Sequence, residues 1–214
     1  MSKVAILGSG VVGDALGDGF LRYGHDVMRG TRDPDKLRAW KTARGEKAKV
    51  GTFAEAAAFA DFAVLAVKGT VAETVLASCG DALDGKVVLD ATNPIADTPP
   101  VDGVLAFFTG PNDSLLERLQ KARPKVRLVK AFSCVGNAFM VNPDFGGQRP
   151  TMFICGDDDD AKDTARHVLK TFGWETEDMG KSTAARAIEP LCMLWCIPGL
   201  TGRGWSHAFK MLRK

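Results

Sequence analysis

Val4-Ala5-Ile6-Leu7-Gly8-Ser9-Gly10-Val11-Val12-Gly13, followed by Gly24-His25-Asp26-Val27 and Gly30-Thr31-Arg32-Asp33-Pro34, is the stretch that decides the fold. An apolar strand runs directly into Gly8-Ser9-Gly10-Val11-Val12-Gly13, which fits G-x-G-x-x-G, and a second apolar strand ends before residue 30. In a chain with 23 glycines the hexapeptide alone carries little weight. Strand before it, helix after it and a second strand close behind make it a dinucleotide-binding turn. Gly8 permits the tight turn, Gly10 lets a pyrophosphate approach the backbone, and Gly13 allows close helix–sheet contact. The free N–H groups of the first helical turn, including those at Val11 and Val12, then face the phosphates along the positive end of the helix dipole. The bland alternative is a glycine-rich turn without a ligand.

The end of the second strand selects the dinucleotide. NAD-binding folds carry Asp or Glu there to bond the ribose 2′-hydroxyl. Here the sequence reads Arg29-Gly30-Thr31-Arg32-Asp33-Pro34-Asp35-Lys36. Arg32 can grip a 2′-phosphate, Thr31 can donate to it, and Lys36 can reach back from the next helical turn. Asp33 is the rival, as an NAD-type acid displaced along the chain, but its place before Pro34 suits a helix N-cap. Solvated helix-end charge is the plain alternative for Arg32 and Lys36. NADP(H) is the expected cofactor.

Outward from this unit, residues 4–7, 26–29, 62–67, 86–90, 126–131 and 152–155 read as strands. Their mostly apolar runs suit strands buried on both faces, and alternation with helices argues for a parallel sheet. One helix runs from after Gly10 to Tyr23 with Gly24 as its cap, and a second opens at Asp33-Pro34 and continues through Lys41. Later helices are expected over 161–172 and 184–196, the last ending at Pro198-Gly199. The fold class is α/β, a Rossmann-type doubly wound, mainly parallel sheet with a smaller C-terminal α/β extension. The division is placed near residue 125, giving segments 1–125 and 126–214.

The chain of 214 residues is 45% hydrophobic and 25% charged, ordinary for a buried core. A net charge of +2 gives no general attraction to nucleic acid or membranes. No apolar run approaches the roughly 18 residues that cross a bilayer, and no signal-peptide pattern opens the chain. Five cysteines without a close-spaced framework fit a reducing cytoplasm.

Taken together these motifs resemble the NADP-dependent coenzyme F-420 oxidoreductase family, which includes the NADPH domains of six-transmembrane metalloreductases. Leu128-Val129-Lys130-Ala131-Phe132 and Asn142-Pro143-Asp144-Phe145 are similar to segments of its bacterial members. The resemblance implies hydride transfer between the nicotinamide and a flavin-like or deazaflavin ring, at the carboxyl ends of the strands. It implies that Ala66, Val67 and Lys68 flank the adenosine and ribose. Asn93 and Pro94 would border the nicotinamide, and Ala131, Phe132, Ser133, Cys134 and Val135 would help wall the acceptor pocket. Members often carry Asn-Thr where this chain has Ser133-Cys134. A homodimer is expected from the resemblance and from the apolar C-terminal helix.

Hydride transfer to a delocalised ring needs orientation and dryness more than a proton shuttle. No Ser-His-Asp order and no glycine-lysine phosphate loop is present, so no catalytic residue is assigned. A carbonyl reductase would need an acid, for which His207 or Lys68 are candidates; His25 and His167 read as structural. Cys192 and Cys196 share a helix face but lack two further zinc ligands, so they read as packing or a dimer seam. Asp157-Asp158-Asp159-Asp160 precedes a helix and reads as a cap rather than a metal site. Three functions stay open: an NADPH:deazaflavin or flavin oxidoreductase, a flavin, ferric or quinone reductase, and a non-catalytic NADP(H) sensor.

Overall fold

The computed structural model describes residues 1–214. Eight strands form one sheet in the order β3-β2-β1-β4-β5-β6-β7-β8. In chain order they are β1 (Lys3–Leu7), β2 (Asp26–Gly30), β3 (Ala48–Gly51), β4 (Phe62–Leu65), β5 (Val87–Asp90), β6 (Arg127–Lys130), β7 (Thr151–Gly156) and β8 (Glu175–Asp178). Every neighbouring pair is parallel except β6 with β7. The helices are α1 (Val11–Arg22), α2 (Arg38–Arg44), α3 (Phe53–Phe59), α4 (Gly69–Ser78), α5 (Leu115–Ala122), α6 (Asp159–Thr171) and α7 (Ala185–Leu200). This is the doubly wound α/β fold expected, and none of its helices is long and apolar enough to cross a membrane.

Side chains alternate across a strand, so each apolar run feeds two cores. Val4 and Ile6 of β1 join α1, α2 and α6 residues such as Leu16, Trp40 and Leu169 on one face. Ala5 and Leu7 join Ala56 of α3, Leu76 of α4, Leu116 of α5 and Ile188 of α7 on the other. Position 125 falls between β5 and β6, which pair directly from Val87↔Arg127 to Asp90↔Lys130, so the sheet is continuous across that point.

The structure also corrects several element boundaries. A short 3-10 turn (Pro34–Leu37), capped by Asp33, precedes α2, which continues to Arg44. The last helix runs through Pro198 to Leu200 instead of stopping before it. Pro198 removes the N–H that would bond the carbonyl of Leu194, but Leu194 is exposed and water can serve that group.

The acidic run before α6 does cap it. Asp158 accepts from the Ala161 N–H at 2.8 Å and forms a two-pronged pair with Arg127 at 2.6 and 2.7 Å. Arg127 first, then the Ala161 amide, hold the Asp158 carboxyl down at about 2 against an ordinary 3.8. A depressed carboxyl contributes stability above its unfolded value and loses it as pH falls through the folded one. Asp158→Asn is therefore expected to lower stability at neutral pH. Urea titrations at successive pH values should show its deficit against the parent shrinking between pH 3.8 and about 2; a constant deficit would rule out this pair as the source.

Candidate functional site: a dinucleotide cleft at the carboxyl ends of the strands

The sheet reverses its winding between β1 and β4, which opens a crevice beyond their carboxyl ends where such folds take ligands. The Gly8 N–H bonds the Gly30 carbonyl at 3.0 Å, fixing the start of the glycine turn. A Cβ on Gly8 would lie far inside the contact distance of the Ala66 carbonyl, so β4 closes against the turn only at a glycine. A Cβ on Gly13 would stand 2.7 Å from the Gly8 carbonyl oxygen.

Gly10 differs from both. It is the N-cap of α1, and a Cβ there would meet nothing within 4 Å. Packing does not explain this glycine, and the open space beside it is wide enough for a phosphate to approach the backbone. Gly10→Ala is expected to fold with stability within about 0.5 kcal/mol of the parent and yet to lose nucleotide binding by tenfold or so, since a methyl would block the approach of the phosphate. Thermal unfolding together with calorimetric titration checks both halves, and undiminished binding would place the diphosphate elsewhere.

Beneath the turn lies Arg29, buried at the end of β2 and not among the residues that the sequence pattern singles out. Its side chain is wholly buried, and Nη2 donates to the carbonyls of Gly8 at 3.1 Å and Gly10 at 3.3 Å. Nη1 pairs with Asp14, and the guanidinium covers the Trp40 ring at 5.0 Å from its centroid. A charged residue inside an apolar strand was the available signal, because burial demands partners.

On the far side of the turn, a cavity of about 220 Å³ is lined by Gly8, Ser9, Thr31, Arg32, Asp33, Lys36, Val67 and residues of α4. Arg32 and Lys36 enter no ion pair, whereas Arg38 close by pairs with Asp35 at 2.5 Å. Asp33 is occupied locally: its carboxylate accepts from the Asp35 N–H at 3.2 Å, and its own N–H donates to Thr31 Oγ1 at 3.3 Å. The cleft therefore presents two cations with no carboxylate paired to either.

A second cavity, about 500 Å³, is lined by Val12, Val67, Lys68, Ala91, Thr92, Asn93 and residues 95–98. Lys68 thus stands on the Asn93 side, its amine exposed and 3.4 Å from Asp97. Ala66 is nearly buried and joins β1 through an N–H bond of 2.9 Å to Leu7, while the Pro94 carbonyl accepts from Phe108 at 2.9 Å. Asn93 Nδ2 donates to the Ser133 carbonyl at 2.7 Å, tying the loops after β5 and β6 together. Asn93 Oδ1 and Ser133 Oγ are both buried without a partner, a costly state next to an open cavity.

The loop after β6 is tighter than an acceptor wall requires. Ala131 and Phe132 have no exposure, and Ser133, Cys134 and Val135 have almost none. Phe132 holds a left-handed backbone, φ 61°, and its N–H reaches the Met152 sulfur at 3.2 Å. Burial holds the Cys134 thiol up at about 12, so it is inert as a nucleophile. Open space on this side comes further along: a cavity of about 380 Å³ lined by residues 136–139 with Trp195 and Trp205. Trp195 Nε1 donates to the His207 carbonyl at 2.8 Å, and the two rings stack 4.9 Å apart.

The other histidines lie away from the cleft. His25 Nδ1 accepts from the Ser2 N–H at 3.2 Å. With His167 it borders a hollow of about 510 Å³ at the amino ends of β1 and β4, opposite the glycine turn. Cys192 is buried in α7 beside the less buried Cys196.

A glycine turn between β1 and α1, an unpaired cationic fork after β2 and a crevice at the reversal of winding make up the geometry of a dinucleotide cleft. Residues 3–94 match the family described as NADP oxidoreductase, coenzyme F420-dependent. Metalloreductase STEAP3 of Rattus norvegicus is 28% identical over 212 residues, which is 97% of this chain and 40% of the relative. The chain thus spans well under half the length of that relative. Among solved structures, a protein from Arthrobacter sp. FB24 assigned as an F420-dependent NADP reductase superposes with a TM-score of 0.92 and 29% identity, covering 100% of both chains. An imine reductase of Streptomyces aurantiacus shares the fold at TM-score 0.68 and 19% identity, over 94% of this chain and 63% of that one.

Proposed function

We propose that the chain is an NADPH-dependent oxidoreductase that exchanges a hydride between NADP(H) and a planar ring acceptor of the deazaflavin or flavin class. The observation that carries the reading is the unpaired Arg32 and Lys36 beside Thr31, around a cavity shared with Gly8 and Ser9. Two cations flanked by a hydroxyl suit a 2′-phosphate, and the one carboxylate in the lining, Asp33, caps the next turn and pairs with neither.

A dinucleotide held by the glycine turn, Thr31, Arg32 and Lys36 would supply the two-electron hydride chemistry of its nicotinamide to a ring acceptor. The protein's part is placement and dryness. The 500 Å³ cavity beside Asn93 is the room for the nicotinamide ring. Asn93 Oδ1 and Ser133 Oγ, both lacking partners, supply an acceptor and a donor suited to a carboxamide. Val12 and Val67 give the cavity apolar walls for a ring to pack against. The 380 Å³ cavity bordered by Phe139, Trp195 and Trp205 is the aromatic-lined space we assign to a flat acceptor.

Stopped-flow oxidation of NADPH against oxidised coenzyme F-420, FMN, a quinone and ferric citrate tests the reading. Transfer to a deazaflavin or flavin supports it. Turnover of quinone or ferric chelate alone would replace the acceptor class, and binding of NADPH without transfer to any acceptor would leave a redox sensor. Exposed Val101, Leu194 and Trp205 near the end of α7 fit a seam between two copies. Sedimentation at micromolar concentration is expected to give twice the monomer mass.

A further inference from the structure

We propose that Arg29 is a positioning residue for the 5′-diphosphate of the bound dinucleotide, acting through the peptide planes of the glycine turn and through its own charge. An apolar side chain would suffice to pack β2 against α1. The chain instead buries a guanidinium completely, which is costly unless every hydrogen is used. Burial lowers its pKa, opposed by the Asp14 partner, and it stays charged.

Its contacts explain the placement. The Gly8 carbonyl belongs to the same peptide plane as the Ser9 N–H, and the Gly10 carbonyl to the same plane as the Val11 N–H. In a trans peptide the C=O and N–H point in opposite directions. By drawing both carbonyls inward at 3.1 and 3.3 Å, Arg29 turns the Ser9 and Val11 N–H groups outward into the cleft. The Ser9 N–H makes no backbone bond, and the Val11 N–H opens α1, so both are free for an anion. Gly13 leaves the clearance this requires, since a Cβ there would stand 3.0 Å from Arg29 Nη2.

Asp14 moderates the charge. Its carboxylate is half exposed on the first turn of α1 and pairs with Arg29, so part of the guanidinium's field is cancelled where the diphosphate arrives. The two residues therefore act in opposite directions on the same ligand, a relation that a packing role alone does not create.

The inference rests on the cleft taking a dinucleotide, and the experiment separates the two. Calorimetric or NMR titration of the parent, Arg29→Met and Asp14→Asn uses two fragments: ADP, which carries the diphosphate, and adenosine 2′-monophosphate, which does not. Loss of the oriented amides and charge should weaken ADP binding to Arg29→Met about tenfold. Removing a partly screened carboxylate should make Asp14→Asn bind ADP about threefold more tightly. Adenosine 2′-monophosphate should change less than about twofold in either variant, because its phosphate lies at the other end of the cleft. Equal weakening of both fragments, or ADP affinity indifferent to both substitutions, overturns the role of Arg29 alone. A parent that binds neither fragment overturns the nucleotide reading along with it. If circular dichroism finds Arg29→Met unfolded, Asp14→Asn decides: tighter ADP binding supports the inference, and unchanged or weaker binding overturns it.

Discussion

Arg32→Glu is expected to abolish the preference for NADPH over NADH. In the parent, Arg32 and Lys36 stand without ionic partners around the cavity that also holds Gly8 and Ser9. A guanidinium that meets a 2′-phosphate makes charge-assisted bonds, each worth about 1.5–3 kcal/mol. Glutamate removes them and adds like-charge repulsion, so about 3 kcal/mol or more should be lost for NADPH, on the order of a hundredfold in affinity. NADH has no such phosphate and should lose little; the new carboxylate can even accept from its ribose 2′-hydroxyl. Steady-state kcat/KM for the two coenzymes, compared with fluorescence titration of each, reads the effect. An unchanged ratio would remove Arg32 from the 2′-phosphate site and return attention to Asp33.

The largest stability effect should come from Lys130→Met. Lys130, Asp90 and Glu189 form a wholly buried cluster, with the ammonium 2.6 Å from Asp90 and 2.9 Å from Glu189. Lys130 also donates to the Thr92 carbonyl at 2.9 Å, and Glu189 accepts from the N–H groups of Leu115 and Leu116 at the start of α5. Burial alone would depress the Lys130 pKa, but the two carboxylates more than reverse that and hold it raised. Its contribution is thus complete below the ordinary lysine value and is lost only as pH rises through the raised one. Deleting the cation strands two carboxylates in the core, a loss of about 3–5 kcal/mol against a typical total of about 5–15 kcal/mol. For a chain of this size the midpoint of thermal melting should fall by roughly 10 °C. The variant, unlike the parent, should gain stability on mild acidification, because protonation relieves the stranded carboxylates. Melting curves at pH 7 and pH 5 check this; a variant as stable as its parent at both values would mean that water or rearrangement reaches the cluster. Thr92 leads into Asn93, so nicotinamide binding should weaken in parallel.

The parts of the site legible in sequence were those carried by neighbours in the chain. The glycine turn and the fork at Thr31, Arg32 and Lys36 each lie within six residues, and their roles follow from local geometry. Central strands were equally plain, since burial on both faces makes most of their positions apolar, with Arg29, Asp90 and Lys130 as the buried exceptions. Edge strands were not. In β8, Glu175-Thr176-Glu177-Asp178 is polar throughout, and β3 carries Lys49, as suits strands that must not attract a second sheet. Periodicity could not show that β7 runs against β6, because direction is set by the path of the intervening loop. Helices α3, α4 and α5 were passed over, although Thr52 and Glu55 form a capping box at the start of α3 that a closer reading would have found. Arg29 with Gly8 and Gly10, and Lys130 with Asp90 and Glu189, join residues from about twenty to a hundred positions apart. Only the folded chain brings such groups together, which is why the acceptor side, built from loops and the end of α7, was the least readable region.

One measurement reaches the centre of this reading: calorimetric titration of the unaltered protein with NADPH and with NADH under identical buffer and salt. NADPH is expected to bind at least tenfold more tightly, with the gap narrowing as salt screens the exposed cations. Equal affinities, or a preference for NADH, would contradict the assignment of Thr31, Arg32 and Lys36 to a 2′-phosphate.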